Sequence, residues 1–244
     1  MVFPTKGIVL RTVTYGETSI IALIYTELFG IQSYLVNGVR TSRKSALKGN
    51  LFQPASILDM EVYHNELKNL QRIKEVQWHY LYQHLFFNVY KNAVAMFMTE
   101  LLQKVLKQPE NNPALYDFIE DAYVKLDNAA GKITANYPAF FAIRLSAFLG
   151  SKIQDNYSSQ NAILDLQEGR FIQEIPAHYL YADGETAFAI FQLLKATQPN
   201  ELPDIILNNI IRRQVLDAVI QFYTLHVNDF GTLRSLPVLK EVLS

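Results

Sequence analysis

Gly7-Ile8-Val9-Leu10-Arg11-Thr12-Val13-Thr14, Thr18-Ser19-Ile20-Ile21-Ala22-Leu23-Ile24-Tyr25-Thr26-Glu27-Leu28 and Ile31-Gln32-Ser33-Tyr34-Leu35-Val36-Asn37 follow one another in the first forty residues. They are rich in Ile, Val, Tyr and Thr, whose branched or aromatic side chains suit a pleated surface. Tyr15-Gly16, Phe29-Gly30 and Asn37-Gly38 punctuate them as turns. A polar stretch from Arg40 to Asn50 carries no apolar period. Alternation resumes at Ile57 to Tyr63, where Leu58, Met60 and Val62 interleave with Asp59, Glu61 and Tyr63. A fifth, shorter strand fits Leu70 to Val76. Five short strands with glycines at the bends suit a small closed barrel of the OB type better than a sandwich.

After about Trp78 the period changes from two to nearly four. Val94, Phe97, Met98, Leu101, Leu102, Val105 and Leu106 form one helical stripe that stops before Pro109. Leu115, Phe118, Ile119, Ala122 and Leu126 form a second, opened by Asn112-Pro113. A third helix is expected from about Pro138 to Phe148, with Gly150 as its C-cap. Residues 151 to 183 read as polar and irregular. Helical spacing returns at Glu185 to Ala196 and from Asp204 to about Asn228, where Leu207, Ile211, Val215, Ala218 and Phe222 share a face; a last helix spans about Leu236 to Leu243. The expected fold is α+β multidomain. An OB-fold barrel occupies residues 1–78, and an all-α helical domain occupies 79–244, interrupted by a cysteine-free excursion at 151–183.

Composition narrows the function. Half of the 244 residues are hydrophobic, enough for a core, and no cysteine is present, which excludes disulfides and thiolate metal sites. The uncharged stretch Val76 to Tyr90 is too short to span a bilayer and contains His79 and His84, so no membrane segment is expected. No signal-peptide pattern opens the chain, and a cytoplasmic location is expected. The net charge of −1 hides an asymmetry. Residues 1 to 80 hold nine Lys/Arg against six Asp/Glu, a net +3, and the remainder carries −4. One end suits a polyanion and the other suits proteins.

Enzyme signatures are missing: no phosphate-binding glycine loop, no Gly-x-Ser-x-Gly elbow and no His-Glu-x-x-His pair occurs. His79 and His84 are five apart, on different faces of a helix, and His64, His178 and His226 stand alone, so structural roles are favoured over metal binding. Neither a catalytic residue, a metal nor a cofactor is expected. The informative run is Arg40, Arg43, Lys44 and Lys48, with no acid between Leu28 and Ile57. Such a run either neutralises phosphates or is merely solvated. Likewise Tyr15, Tyr25, Phe29, Tyr34 and Phe52 either stack on unpaired bases or fill the barrel. Lys6, Arg11, Lys68 and Arg72 are the next cations to consider.

Taken in order, these residues resemble the RecO family of bacterial recombination mediators. The likeness runs through Gly7-Ile8-Val9-Leu10-Arg11, Tyr15-Gly16-Glu17-Thr18-Ser19, Thr26 with Gly30, Val36-Asn37-Gly38-Val39-Arg40 and Leu51-Phe52-Gln53-Pro54. It continues through Glu100-Leu101-Leu102, Phe141-Ala142-Ile143-Arg144-Leu145 closing at Leu149-Gly150, and Tyr223, His226, Leu233-Arg234-Ser235-Leu236 and Val238-Leu239. The resemblance implies a non-enzymatic OB-fold protein that binds single- and double-stranded DNA and anneals complementary strands. With RecR, such a protein loads recombinase, an indirect partner, onto DNA coated by single-strand-binding protein. Carried over by position, Arg11, Arg40, Arg43, Lys44 and Lys48 face DNA. Phe141, Arg144 and Phe148 mark the place to seek the site for the acidic, aromatic tail of single-strand-binding protein, with Arg144 equally readable as an internal ion-pair partner. One departure is plain. Many family members carry a four-cysteine zinc module where Ser151 to Phe171 stands here, so this excursion must be held by packing, through residues such as Tyr157, Ile163, Leu164, Leu166 and Phe171.

Overall fold

A computed structural model describes residues 1–39 and 49–243. Arg40, Arg43, Lys44 and Lys48 lie outside the described residues. Contacts divide the chain into two compact units: Met1–Leu85 with Leu106–Asp127, and Phe86–Val105 with Asn128–Ser244.

The first unit is built on a closed five-stranded barrel, as the alternation predicts. Its strands are β1 (Val2–Tyr15), β2 (Ser19–Thr26), β3 (Gly30–Val36), β4 (Ile57–Tyr63) and β5 (Leu70–Tyr80), in the order β1-β2-β3-β5-β4. Neighbours are antiparallel except β3 and β5, whose parallel pairing completes the ring. Closure depends on β1 serving two partners. Its first half pairs β4 from Val2 to Ile8, its second half pairs β2 from Gly7 to Tyr15, and a bulge between Val9 and Arg11 marks the change. Gly7 sits at that bend because a Cβ there would lie 2.4 Å from the Met60 side chain and 2.6 Å from that of Ile24. Side chains at Val9, Ile20, Ala22, Ile24, Tyr34, Val36, Leu58, Met60 and Val62 form the barrel core. The alternate residues of each strand therefore face outward.

The helical pattern begins beyond the expected boundary at residue 78, since β5 runs on to Tyr80 and the first helix starts at Val89. Helix α1 (Val89–Val105) opens on Asn88, whose side-chain oxygen accepts from Tyr90 N and Lys91 N. Helix α2 (Pro113–Asn128) opens on Asn112, which accepts from Leu115 N at 3.1 Å, with Pro113 in the position that needs no N–H. Most of α2 belongs to the barrel's unit and not to the helical remainder. Tyr25 would otherwise expose a large ring on the barrel wall. Instead it stacks on Tyr116 with ring centroids 5.9 Å apart, and its hydroxyl donates to the Asn112 carbonyl at 3.4 Å. The backbone of Glu110 rests on Gly30, where φ is +60° and a Cβ would approach the Glu110 carbonyl oxygen to 2.3 Å. At its far end α2 supplies Asp127. That buried carboxylate accepts backbone N–H groups from Gln83 at 3.0 Å, His84 at 2.8 Å and Leu85 at 2.6 Å, and so fixes the turn after β5.

The second unit contains α1 together with α3 (Gly131–Ser146), α4 (Gly184–Lys195), α5 (Asn209–His226) and α6 (Ser235–Val242). Helix α3 begins seven residues before Pro138, the expected start. A proline inside a helix removes one backbone hydrogen bond, but Tyr137, Ala139, Phe140 and Phe141 are all buried around it, and that burial outweighs the local penalty. Helix α5 starts later than the apolar stripe, at the Asn208 cap that accepts from Ile211 N, because Pro199–Asp204 forms a separate 3-10 turn.

The excursion expected to be irregular holds a three-stranded sheet. β6 (Ile163–Asp165) lies between β7 (Arg170–Ile172) and β8 (Tyr181–Ala182). Asn156 clamps it, donating to the Phe171 carbonyl at 2.8 Å and accepting from Phe171 N at 2.9 Å. Leu164, Leu166 and Phe171 are buried, and Tyr157 packs against Phe171, Phe188 and Phe191. Packing and amide hydrogen bonds hold this excursion together.

Candidate nucleic-acid interface

The outer wall of the barrel is divided by charge. On the β1–β4–β5 side, Glu27, Asp59, Glu61 and Glu75 line a depression of about 460 Å³ together with Lys6. The cations there are committed. Lys6 reaches Glu120 at 2.5 Å and Glu27 at 4.0 Å, and Lys74 reaches Glu61 at 2.6 Å. Burial opposes the Lys6 charge, but the hydrogen bond and charge of Glu120, aided by Glu27 and Asp117, raise its pKa above the ordinary value. His79 bridges Asp59 at 2.9 Å and Glu120 at 3.0 Å. This side repels a polyanion.

The β2–β3 side is the opposite. Strand register sets two outward rows across four strands: Arg11, Leu23, Ser33 and Leu70, then Val13, Ile21, Leu35 and Arg72. Arg11 and Arg72 are exposed at the two edges, with Leu23, Ile21 and Leu35 half-buried between them. Such a strip offers cations to phosphates and apolar area to base faces. Towards the β2–β3 turn the strip deepens into a groove of about 510 Å³. Leu23, Ile31 and Ser33 contribute its floor, the β4–β5 loop with His64 and Lys68 one wall, and Lys107, Pro109 and Asn111 the other.

Among the sequence-expected residues, Arg11 therefore stands on this face. The described residues that flank the basic run are Val39 and Gly49; Val39 is buried and its N–H donates to the Thr18 carbonyl at 3.0 Å. Of the aromatics weighed for stacking, Tyr25, Tyr34 and Phe52 are buried and belong to the packing. Burial pushes the Tyr25 hydroxyl up to about 12. Phe29 is half-buried and lies flat on His64 with centroids 3.9 Å apart, leaving Tyr15 as the exposed ring of the set, at 53 %. Lys107 has no local signal, since it lies past the helical stripe, far along the chain from the strands it joins.

In the second unit Phe141 is buried, so it underlies the surface instead of forming it. Arg144 is half-buried near the end of α3, and Phe148 is exposed in the 3-10 turn Ala147–Leu149 that follows. Hydrogen bonds from Thr197 and Gln198, and then the charge of Arg144, hold the Glu201 carboxyl below its ordinary pKa. No described helix is long and apolar enough to cross a membrane.

The family described as Recombination protein O N terminal matches residues 1–82, and that described as Recombination protein O C terminal matches residues 87–237. The chain belongs to the RecO family of DNA repair proteins. It is 34% identical to DNA repair protein RecO of Phocaeicola vulgatus over 244 residues, covering 100% of both chains. It is 32% identical to that of Bacteroides fragilis over 246 residues, with 99% of each covered, and 30% identical to that of Flavobacterium psychrophilum over 244 residues, with 100% of each covered.

Several residues that carry the RecO resemblance have structural work here. Thr26 Oγ1 donates to the Gly30 carbonyl at 2.9 Å and accepts from Phe29 N at 3.0 Å, which closes the β2–β3 turn. Glu100 on α1 accepts from Arg234 N, Ser235 N and Ser235 Oγ, holding the start of α6. Partial burial alone would raise its pKa, but these bonds and Lys104 hold it below the ordinary value. The Tyr223 hydroxyl donates to the buried Ala142 carbonyl at 2.7 Å, and His226 Nε2 meets the Leu166 carbonyl at 3.0 Å.

Proposed function

We propose that this protein binds single- and double-stranded DNA through the β2–β3 side of its barrel together with the basic segment from Arg40 to Lys48. Without catalysing a covalent step, it anneals complementary strands and, with RecR, loads recombinase onto DNA coated by single-strand-binding protein. The observation that carries this reading is the division of charge around the barrel: Arg11 and Arg72 are exposed on one side, while Asp59, Glu61 and Glu75 occupy the other. A nuclease would need carboxylates clustered on the basic side to hold metal ions, and the clustered carboxylates stand opposite. A pure protein adaptor would lack the steep salt dependence that counterion release gives to DNA binding. The test is annealing of complementary strands already coated with single-strand-binding protein. The protein should accelerate annealing, with the effect falling steeply as salt rises. No acceleration at any salt concentration would refute the annealing role.

The tail of single-strand-binding protein, acidic and aromatic, fits the end of α3. Arg144 supplies the cation, exposed Phe148 the apolar contact, and buried Phe141 the support beneath. A peptide carboxylate would compete there with Glu201. Arg144→Glu should weaken binding of a tail peptide about tenfold or more, the worth of one charge-assisted hydrogen bond or slightly above. Unchanged affinity in the folded variant, measured by calorimetry, would move the tail site elsewhere.

A further inference from the structure

The groove of about 510 Å³ differs from the rest of the basic strip in having two walls. One wall is the barrel's own β4–β5 loop, which carries Lys68. The other is foreign to the barrel: Lys107, Pro109 and Asn111 come from the connection between α1 and α2. Several contacts seat that second wall. Glu110 backbone fits against Gly30 with no room for a Cβ, Tyr25 holds the Asn112 carbonyl and stacks on Tyr116, and Lys6 and His79 grip Glu120 further along α2. The wall is in place before any ligand arrives, so its ordering costs binding nothing.

Resting on the DNA-binding reading above, we infer that this groove takes an unpaired DNA strand and that Lys107 is a DNA-contacting residue lent to the barrel from outside it. Lys68 and Lys107 meet phosphates from opposite walls. Leu23 and Ile31 lie under the bases, and Asn69 and Asn111 add amides to the groove lining, while the Gln32 amide is donated to the Phe29 carbonyl at 3.0 Å. The chemistry selects single strands on two counts. Base faces reach an apolar floor only when unstacked from a duplex, and stacking of that kind tolerates any sequence. A cleft of this volume also seats one or two nucleotides, whereas a double helix is too wide to enter it and meets only the strip outside, where Arg11 and Arg72 stand. Glu66 at the groove's edge is a carboxylate that limits how far the strand turns that way.

The test uses the full-length protein, fluorescence anisotropy, a labelled oligothymidylate and a duplex of equal length, each across a salt series. Lys68 and Lys107 are exposed, so the Lys68→Ala/Lys107→Ala variant should fold as the parent does, which circular dichroism checks. For the single strand, the slope of log affinity against log salt should flatten by about 1.4, at roughly 0.7 for each phosphate no longer neutralised. For the duplex the slope should stay unchanged. An unaltered single-strand slope, or an equal loss on the duplex, overturns the groove while leaving DNA binding by the barrel intact. If the parent protein itself binds neither DNA, the underlying reading fails and the groove falls with it.

Discussion

Replacing Asp127 with alanine is expected to cost about 3–5 kcal/mol, more than any other single substitution at the polar side chains described above. The carboxylate is buried and receives three consecutive backbone N–H groups, from Gln83, His84 and Leu85, with the Tyr80 hydroxyl at 3.4 Å. Alanine leaves those donors without an acceptor, and an unmet buried donor costs about 1–3 kcal/mol. A domain is stable by only about 5–15 kcal/mol, so the loss is a large part of the whole. Asp127→Asn should fall between, because one amide oxygen still accepts while the NH₂ now faces a donor. Burial by itself would raise the Asp127 pKa, but the backbone N–H groups and His84 outweigh it and hold the carboxyl below its ordinary value. A depressed folded pKa means that the contribution is complete above the unfolded value, near pH 4, and is lost as pH falls through the folded one. Urea unfolding at neutral pH and in acid checks both points. The variants should lose part of the parent's acid sensitivity, and unfolding free energies within about 0.5 kcal/mol of the parent would show that the turn after β5 needs no such acceptor.

What the sequence reveals depends on how far its signals reach. The barrel is legible because a strand's alternation is local: Leu58, Met60 and Val62 point inward whatever lies elsewhere in the chain. The helix start at the Asn112 cap is legible for the same reason. The small sheet at 163–182 is not, because strands of two or three residues are too short to show a period. Pro138 misleads because packing around Tyr137 and Phe141 overrides a local preference. The site divides in the same way. Arg11 is legible only through the family resemblance, since alternation from Val9 would turn it inward and the bulge between them turns it out, whereas the depletion of acids around residues 40–48 is visible as composition. Lys107 is invisible because its place on the groove follows from α2 docking on Tyr25 and Gly30, contacts between residues about eighty to ninety positions apart, and no spacing rule in one sequence reports them.

Changing Arg40, Arg43, Lys44 and Lys48 together to alanine should produce the largest change in DNA affinity. Phosphate neutralisation is additive and indifferent to base identity, so binding should weaken about equally for any base composition. On single-stranded DNA each cation removed from a phosphate flattens the plot of log affinity against log salt by roughly 0.7, and four flatten it by about 3 if every one touches phosphate. The same four cations serve the duplex, whose slope should flatten by roughly 0.9 for each. That separates this segment from the groove, where the effect is confined to single strands. Stability should move by no more than about 0.5 kcal/mol, since the stretch from Arg40 to Asn50 carries no apolar period to pack. Fluorescence anisotropy across a salt series decides the matter. A flattening well below 3 means that some of the four are solvated and never meet phosphate. An unchanged slope and affinity removes the segment from the mechanism and leaves Arg11, Lys68, Arg72 and Lys107 as the DNA-contacting cations of the barrel.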